Sequence, residues 1–329
     1  MKITMAHGGG GKLMDDLIRD VFVRHFENDI LGRMEDAAVL PRPGGKIAFT
    51  TDSFVVSPLF FPGGDIGRLA ACGTVNDLLM RGATPRYLSA GFILEEGLET
   101  ETLEKVASSM REAAEEAGVS IVAGDTKVVE GKGGLYINTA GIGLMETPLD
   151  ISAQNAADGD AVIVSGDLGD HHACILSARM GIENGIQSDC APLTEMVAAL
   201  LQSGLRVHAM RDITRGGLST VLHEIALSSG VAFTLFPDVP LANERVQGFC
   251  EILGLDPLYM GNEGKMALIL PKAEAQAAVD ILRRCRYGAR ARIIGDASRS
   301  GTPGVFAKTR SGATRTLLPL AGEGLPRIC

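Results

Sequence analysis

The chain has 329 residues, enough for two domains of ordinary size. Hydrophobic residues make up 46% and charged residues 22%, so each half can bury a core. A net charge of −9 with no basic run argues against a phosphate-seeking nucleic-acid surface, and no stretch approaches the ~18 apolar residues of a membrane span. The N-terminus carries no apolar targeting segment. Cys72, Cys174, Cys190, Cys250, Cys285 and Cys329 are scattered without CxxC pairs, so neither a zinc site nor a disulfide framework is expected. Together these point to a cytoplasmic protein with reduced thiols.

The first 35 residues are glycine-rich and then irregular, and read as an N-terminal arm (1–35). Residues 46–56 are β-branched and aromatic and predict a strand. A helix follows over 65–81, with Asp65 as its cap and Gly82 as its stop. Pro85 introduces a strand over 87–94. The clearest helix is 101–118, where Leu103, Val106, Met110, Ala113 and Ala117 recur on one face. Strands follow at 119–123 and 135–144, giving a first domain (36–150) of helices on one sheet. The polar, turn-rich run 146–159 marks the boundary.

The second domain (151–310) restarts the alternation. It has a strand at 161–164, helices at 171–180, 191–203 and 217–228, a strand at 231–236 and a helix at 243–253. A strand at 265–270, a helix at 273–284 and short strands to 307 complete it. From 309 the pattern dissolves, and 311–329 reads as a flexible tail broken by glycine and proline.

Several residues could carry chemistry. His7–Lys12 reads HGGGGK: serial backbone N–H groups followed by a cation either cradle phosphate or form a mobile arm, and the spacing is not that of a P-loop. Asp36, Asp52, Asp77 and Asp125 sit beside small residues at element ends. They are either Mg²⁺–nucleotide ligands or caps and turns. Asp77 interrupts an apolar helix, which is costly unless the carboxylate is paired or metal-bound. Lys127 shares a strand face with Asp125 and either balances phosphate charge, moves protons or is a surface residue. RDITRGG (211–217) precedes a helix and offers Arg215 to an anion, whereas His223 and Glu224 read as helix surface. In GNEGK (261–265), glycines flank Glu263, leaving room for substrate. It is a candidate general base, Mg²⁺ contact or tail contact. Cys329 is either incidental or a thiol on a flexible arm, loaded by a partner and inserted into its own active site, with Arg327 offsetting the adjacent carboxylate.

Taken in order, HGGGGK, EDAAVL, FTTDSFVVSPLFFPGGDIGRLAACGTVNDLLMRGATP, AGDTKVVE, RDITRGGL, GNEGK and a terminal PRIC span the chain. The set resembles the HypE family of carbamoyl dehydratases, in the aminoimidazole ribonucleotide synthetase-like superfamily. The resemblance implies a two-domain α+β fold that forms a homodimer through its N-terminal sheets. It implies ATP and Mg²⁺ as cofactors, a HypF-type carbamoyltransferase that loads Cys329, and a HypC–HypD complex that receives the product. It casts Glu263 and Lys127 as proton-handling residues, Asp36, Asp52, Asp77 and Asp125 as Mg²⁺–phosphate ligands, and Lys12 as a phosphate contact. The reaction it implies is ATP-dependent dehydration of a carboxamide on Cys329 to a thiocyanate, which supplies the cyanide ligand of the [NiFe]-hydrogenase iron. A selenophosphate synthetase is the less favoured reading, because the first cysteine, Cys72, lies inside a predicted helix. Thiamine monophosphate kinase is another ATP-using member of the superfamily. A non-catalytic scaffold would have no use for four aspartates.

Overall fold

The computed structural model describes residues 2–4, 17–28, 44–145, 150–237 and 239–318. The expectations for Lys12, Asp36 and Cys329 therefore lie outside the described residues. The architecture is two α+β domains, each built on one large sheet.

In the first domain, β1 (Lys46–Phe54), β4 (Thr84–Glu95), β5 (Ser120–Val129) and β6 (Leu135–Met145) pair in the order β1-β6-β4-β5. Only β4 and β5 run parallel. Pro85 enters the sheet at a bulge opposite β6, a place where a residue without an N–H is tolerated. A two-strand ribbon, β2 (Phe60–Phe61) and β3 (Gly64–Asp65), leads into α1 (Ile66–Met80). Asp65 caps that helix as expected, accepting from Gly67 N at 2.7 Å and Arg68 N at 3.1 Å. The predicted apolar face of α2 (Thr100–Ala117) is buried, and Gly118 ends the helix in the left-handed region at φ 72°. A Cβ on Gly67 would stand 2.2 Å from the Val106 carbonyl, so only glycine lets α1 and α2 approach this closely.

Both helices lie on one face of the sheet. The register puts Asp52, Thr139, Ala90 and Gly124 in one row on that face, where Thr139 is hydrogen-bonded to Thr74 of α1. The opposite face is open. It carries Ile47, Phe49, Ile93 and Val129, with Phe49 68% exposed, together with Asp125 and Lys127.

The second domain holds β7 (Asp160–Val164), β8 (Ala209–Asp212), β9 (Ala232–Leu235), β10 (Met266–Pro271), β11 (Arg292–Ser298), β12 (Gly304–Lys308) and β13 (Thr314–Leu317). They pair in the order β13-β12-β9-β11-β7-β10-β8. Helices α3 (Asp170–Met180), α4 (Thr194–Gln202), α6 (Glu244–Leu253) and α7 (Ala275–Leu282) share a core with the first domain, and α5 (Gly217–Ser229) backs the other face. Along β7, Ile163 enters the first core while Val162 and Val164 enter the second. A strand buried on both faces reads as a continuous apolar run.

Several expected boundaries move. β5 continues to Val129 instead of stopping at 123, so Asp125 lies within the strand, and Asp52 likewise lies within β1. The helix expected from 191 begins at Thr194, after Pro192. β8 was not expected at all. The tail does not begin at 311: a turn with Gly312 at φ 84° folds Thr314–Leu317 back onto β12. Its burial pattern leaves only Leu317 inside, too weak a signal to read from sequence.

Two side chains of α1 fasten the domains together. Arg68 donates to the Cys190 carbonyl at 2.8 Å, to Glu116 of α2 at 2.9 Å and to Tyr287 at 3.4 Å. Asn76 donates to the Ala191 carbonyl at 3.1 Å and accepts from Leu193 N at 2.9 Å. Arg68→Ala is expected to lower the midpoint of urea unfolding, at a cost of about 2 kcal/mol for the lost charge-assisted bonds. An unchanged midpoint would mean that the apolar interface alone joins the domains.

Candidate functional site

The site forms where α1 and β1 of the first domain meet β8 and the 261–265 loop of the second. Asp77 projects from the last turn of α1 and accepts from Thr50 Oγ1 of β1 at 2.9 Å. Asp52, two residues further along β1, shares that face. Asp212 ends β8 and pairs with Met266, three residues after Glu263.

The RDITRGG and GNEGK segments are laced together. Ile213 N donates to the Lys265 carbonyl at 2.8 Å, and Asn262 N donates to the Ile213 carbonyl at 3.0 Å. The buried Asn262 side chain donates to the Ile213 and Met260 carbonyls, each at 3.1 Å, and accepts from Gly169 N at 2.8 Å.

Asp189 holds the loop from behind. Its carboxylate accepts from Glu263 N and Gly264 N at 3.1 Å each, and from Lys265 Nζ at 3.0 Å. Burial alone would push this acid up, but Lys265, His171 and the loop N–H groups hold it below the usual range. Gly264 is needed here, since a Cβ would stand 2.0 Å from the Asp189 carbonyl oxygen.

The free carboxyl groups behave in the opposite way. Burial, then the charge of Asp77, push Asp212 up to about 7. Burial raises Asp77, reinforced by Asp52. Glu263 is raised well above the usual range by burial, then by Asp189, Asp212 and Asp52. Asp52, Asp77, Asp212 and Glu263 thus form one field of mutually repelling acids across the domain boundary. A groove of about 500 Å³ opens beside Asp77 and Asp212, lined also by Thr50, Arg81, Arg211 and Thr214.

Among the described residues, no three His, Cys, Asp or Glu side chains converge to hold an ion. The acidic field nonetheless fits Mg²⁺, which takes one or two carboxylates, keeps waters and completes its shell with phosphate oxygens. A divalent cation would also relieve the repulsion that raises Asp77 and Asp212.

The expected residues divide accordingly. Asp52, Asp77 and Glu263 come together. Asp125 and Lys127 do share a strand face, and pair at 3.4 Å, but on the open face of the sheet, away from Asp77 within one copy. The four aspartates therefore do not make a single cluster within this chain. Arg215 is exposed just before α5. Glu224 pairs with Arg211 at 2.6 Å, and His223 Nδ1 is hydrogen-bonded to the Ser219 carbonyl inside α5. Asp212 and Asp189 were missed. Asp212 falls inside RDITRGG, but its four-residue strand is too short to show a period. Asp189, in the loop before α4, carries no local signal.

Behind Asp189, His171 Nδ1 is hydrogen-bonded to Ser188 Oγ at 2.8 Å. Burial depresses His171 to about 4. It does the same to His172, where Arg179 adds to the effect. Both imidazoles are neutral when folded and bind protons on unfolding below about 6.5. The unfolded chain then holds more protons, so stability falls as pH drops from about 6.5 to about 4, by up to about 1.4 kcal/mol per pH unit for each ring. His172→Gln should shallow the slope of unfolding free energy against pH in that window. An unaltered slope would assign the acid sensitivity to other groups.

Residues 34–145 match the family "AIR synthase related protein, N-terminal domain", and residues 157–308 match the corresponding C-terminal domain family. The chain is 46% identical over 336 residues to carbamoyl dehydratase HypE of Rhodobacter capsulatus, covering 100% of this chain and 98% of that protein. A crystal structure of hydrogenase maturation protein HypE in complex with ATP superposes with a TM-score of 0.95 at 46% identity, covering 99% of each chain. A HypE–HypF complex provides a further match, with a TM-score of 0.81 at 45% identity, covering 92% of this chain and 99% of that one.

Proposed function

This chain belongs to the HypE family of AIR synthase related proteins, and from that membership we propose that it is an ATP-dependent carbamoyl dehydratase acting on a carboxamide carried by Cys329. The field of raised carboxyl groups beside the groove carries the reading, since it suits the cation that accompanies ATP. The ATP complex of the similar HypE protein adds support.

An amide oxygen is a poor leaving group, and phosphorylation makes it a good one. The carboxamide oxygen attacks the γ-phosphorus, the bond to ADP breaks, and one N–H proton is lost to leave an O-phosphorylated imidate. Breaking the C–O bond then releases phosphate, the second N–H proton departs and the C≡N bond forms, giving a thiocyanate on sulfur. The product would serve as the cyanide donor for the [NiFe]-hydrogenase iron through a HypC–HypD complex. Mg²⁺, held by Asp77 and Asp52 with Asp36, would neutralise phosphate charge, and the geometry adds Asp212 to that set. Lys12 and Arg215 contact phosphate. Glu263 is the better placed of the two proton-handling candidates, because a carboxyl raised by burial is also a stronger base once ionised. Lys127 and Asp125 act only if the open faces of two copies meet.

That meeting is part of the proposal. Phe49, Ile47, Ile93 and Val129 form an exposed apolar face that suits a homodimer. A HypF-type carbamoyltransferase loads the cysteine, in line with the HypE–HypF complex of the similar chain. A cytoplasmic site of action accords with this chemistry. Among the described residues, no helix is long and apolar enough to cross a membrane.

Cys329→Ala is expected to abolish product and leave ATP binding intact. Mass spectrometry of the peptide ending in Cys329, after incubation with the carbamoyl donor system, checks it, and a modification on Cys72 or Cys285 instead would overturn the assignment. Asp77→Asn is expected to lower ATP turnover at least tenfold with the fold retained. Wild-type turnover in that variant would remove the aspartate from the metal–nucleotide site.

A further inference from the structure

Glu263 is held by both of its backbone groups. Its N–H donates to the Asp189 carboxylate at 3.1 Å, and its carbonyl accepts from Ala191 N at 3.3 Å. Residues 189 and 191 thus straddle one residue of the facing loop, and a shift of the Glu263 backbone in either direction breaks a bond. Gly264 permits the approach, since a Cβ there would stand 3.0 Å from Ala191 N. Lys265 supplies a further bond to Asp189, and Gly166 leaves room for its side chain, because a Cβ on Gly166 would stand 2.7 Å from Lys265 Cε.

The same short segment is held from its other side by α1. The buried Asn76 side chain donates to the Ala191 carbonyl at 3.1 Å and accepts from Leu193 N at 2.9 Å. Ala191 therefore spends its N–H on Glu263 and its carbonyl on Asn76. Two hydrogen bonds through a single residue connect Asn76 to Glu263. Asp77 follows Asn76 in the helix. The acid on the nucleotide side and the acid assigned to proton handling are thereby tied across the domain boundary by one continuous path. Joining the domains does not require that path. Arg179 of α3 also crosses the boundary, donating to the Ser57 carbonyl at 2.7 Å from a different helix to a different loop.

We propose that Asn76 and Asp189 are positioning residues for the dehydration, which hold Glu263 at a fixed place relative to the nucleotide beside Asp77. This rests on the dehydratase reading above. Neither residue touches the reacting atoms. Their bonds go to backbone groups, and the side chain of Glu263 follows the backbone that they fix. A misplacement of about 1 Å can cost about a hundredfold in rate. Nucleotide binding draws on Asp77, Asp52 and Asp212 and not on the place of Glu263, so the loss falls on the chemical step.

The test separates rate from binding. Full-length protein carrying a carboxamide on Cys329 is mixed with saturating MgATP, and thiocyanate formation is followed in a single turnover. The Kd for MgATP is measured by calorimetry on the same variants. Asp189→Asn keeps one acceptor oxygen and turns an amide N–H₂ toward the remaining donors, and Asn76→Ala removes the bonds to residues 191 and 193. Each is expected to slow thiocyanate formation about tenfold or more, to change Kd by less than about twofold, and to speed hydrogen exchange at the Glu263 and Gly264 amides. Lys265→Met leaves both backbone bonds in place, and should slow the reaction by a smaller factor, about threefold. It keeps the proposal open to test should Asp189→Asn fail to fold. Arg179→Ala removes a boundary bond outside the path and is expected to retain the rate of the unsubstituted protein. Equal losses of rate and of MgATP affinity would place Asn76 and Asp189 in the nucleotide site and overturn the proposal. Slowing by Arg179→Ala as large as that by Asn76→Ala would reduce their role to holding the domains together and overturn it too. Unchanged rates in Asn76→Ala, Asp189→Asn and Lys265→Met, with the unsubstituted protein active, would overturn the proposal alone. Unsubstituted carboxamide-bearing protein that binds MgATP but forms no thiocyanate would overturn the dehydratase reading and with it the role assigned here.

Discussion

A carboxylate shut away from water must be matched by donors, and Asp189 is matched by three from one short loop: two consecutive backbone N–H groups and the ammonium of the lysine that follows. Those bonds fix the backbone on either side of Glu263, whose buried side chain faces Asp212 and Asp52. They also explain why glycine precedes Lys265, since any larger residue would push Asp189 out of reach. The loop could not keep this shape with an alanine at 189. Two N–H groups and a buried ammonium would lose their acceptor, and unpaired buried donors are costly.

The same anchor ties the site to the domain boundary. The segment carrying Asp189 continues through Cys190 and Leu193, which Arg68 and Asn76 of α1 grip from the first domain. Asp77 follows Asn76 directly. Adjacent residues of one helix therefore do opposite jobs: Asn76 joins the domains, while Asp77 faces Thr50 and the groove. A displacement of α1 relative to the second domain changes the distance from the carboxyl of Asp77 to Asp212. This couples the stability of the interface to the spacing of the acidic field.

Much of this was legible in the chain. The α2 stripe, the Asp65 cap and the α+β order follow from periodicity and capping. Asp77 stood out because an acid in an apolar helix demands a partner. Asp52 and Glu263 were found by their company of small residues. The unreadable part is tertiary. Asp189 has no flanking pattern, and its meaning comes from a loop 74 residues away. β8 is four residues long and half buried, too brief to show a period, so nothing in RDITRGG singles out Asp212. Asp125 resembled Asp52 in sequence context, and only the strand register separates the faces on which they lie.

That register has a mechanistic consequence. In a strand, a shift of one residue moves a side chain to the other side of the sheet, so Asp125 could join the field around Asp77 only if β5 were displaced by one position, which would expose Thr126 and Val128. The sheet forbids it. Within one copy, the charge on the open face lies beside Phe49 and Ile93 and on the far side of the sheet from α1. The division is sharp: acids on the helix face repel one another and want a cation, while Asp125 on the other face already has Lys127. Within one copy the sheet separates Asp125 from Asp77, and that makes Asp212, which raises no such barrier, the companion of Asp77 in this chain.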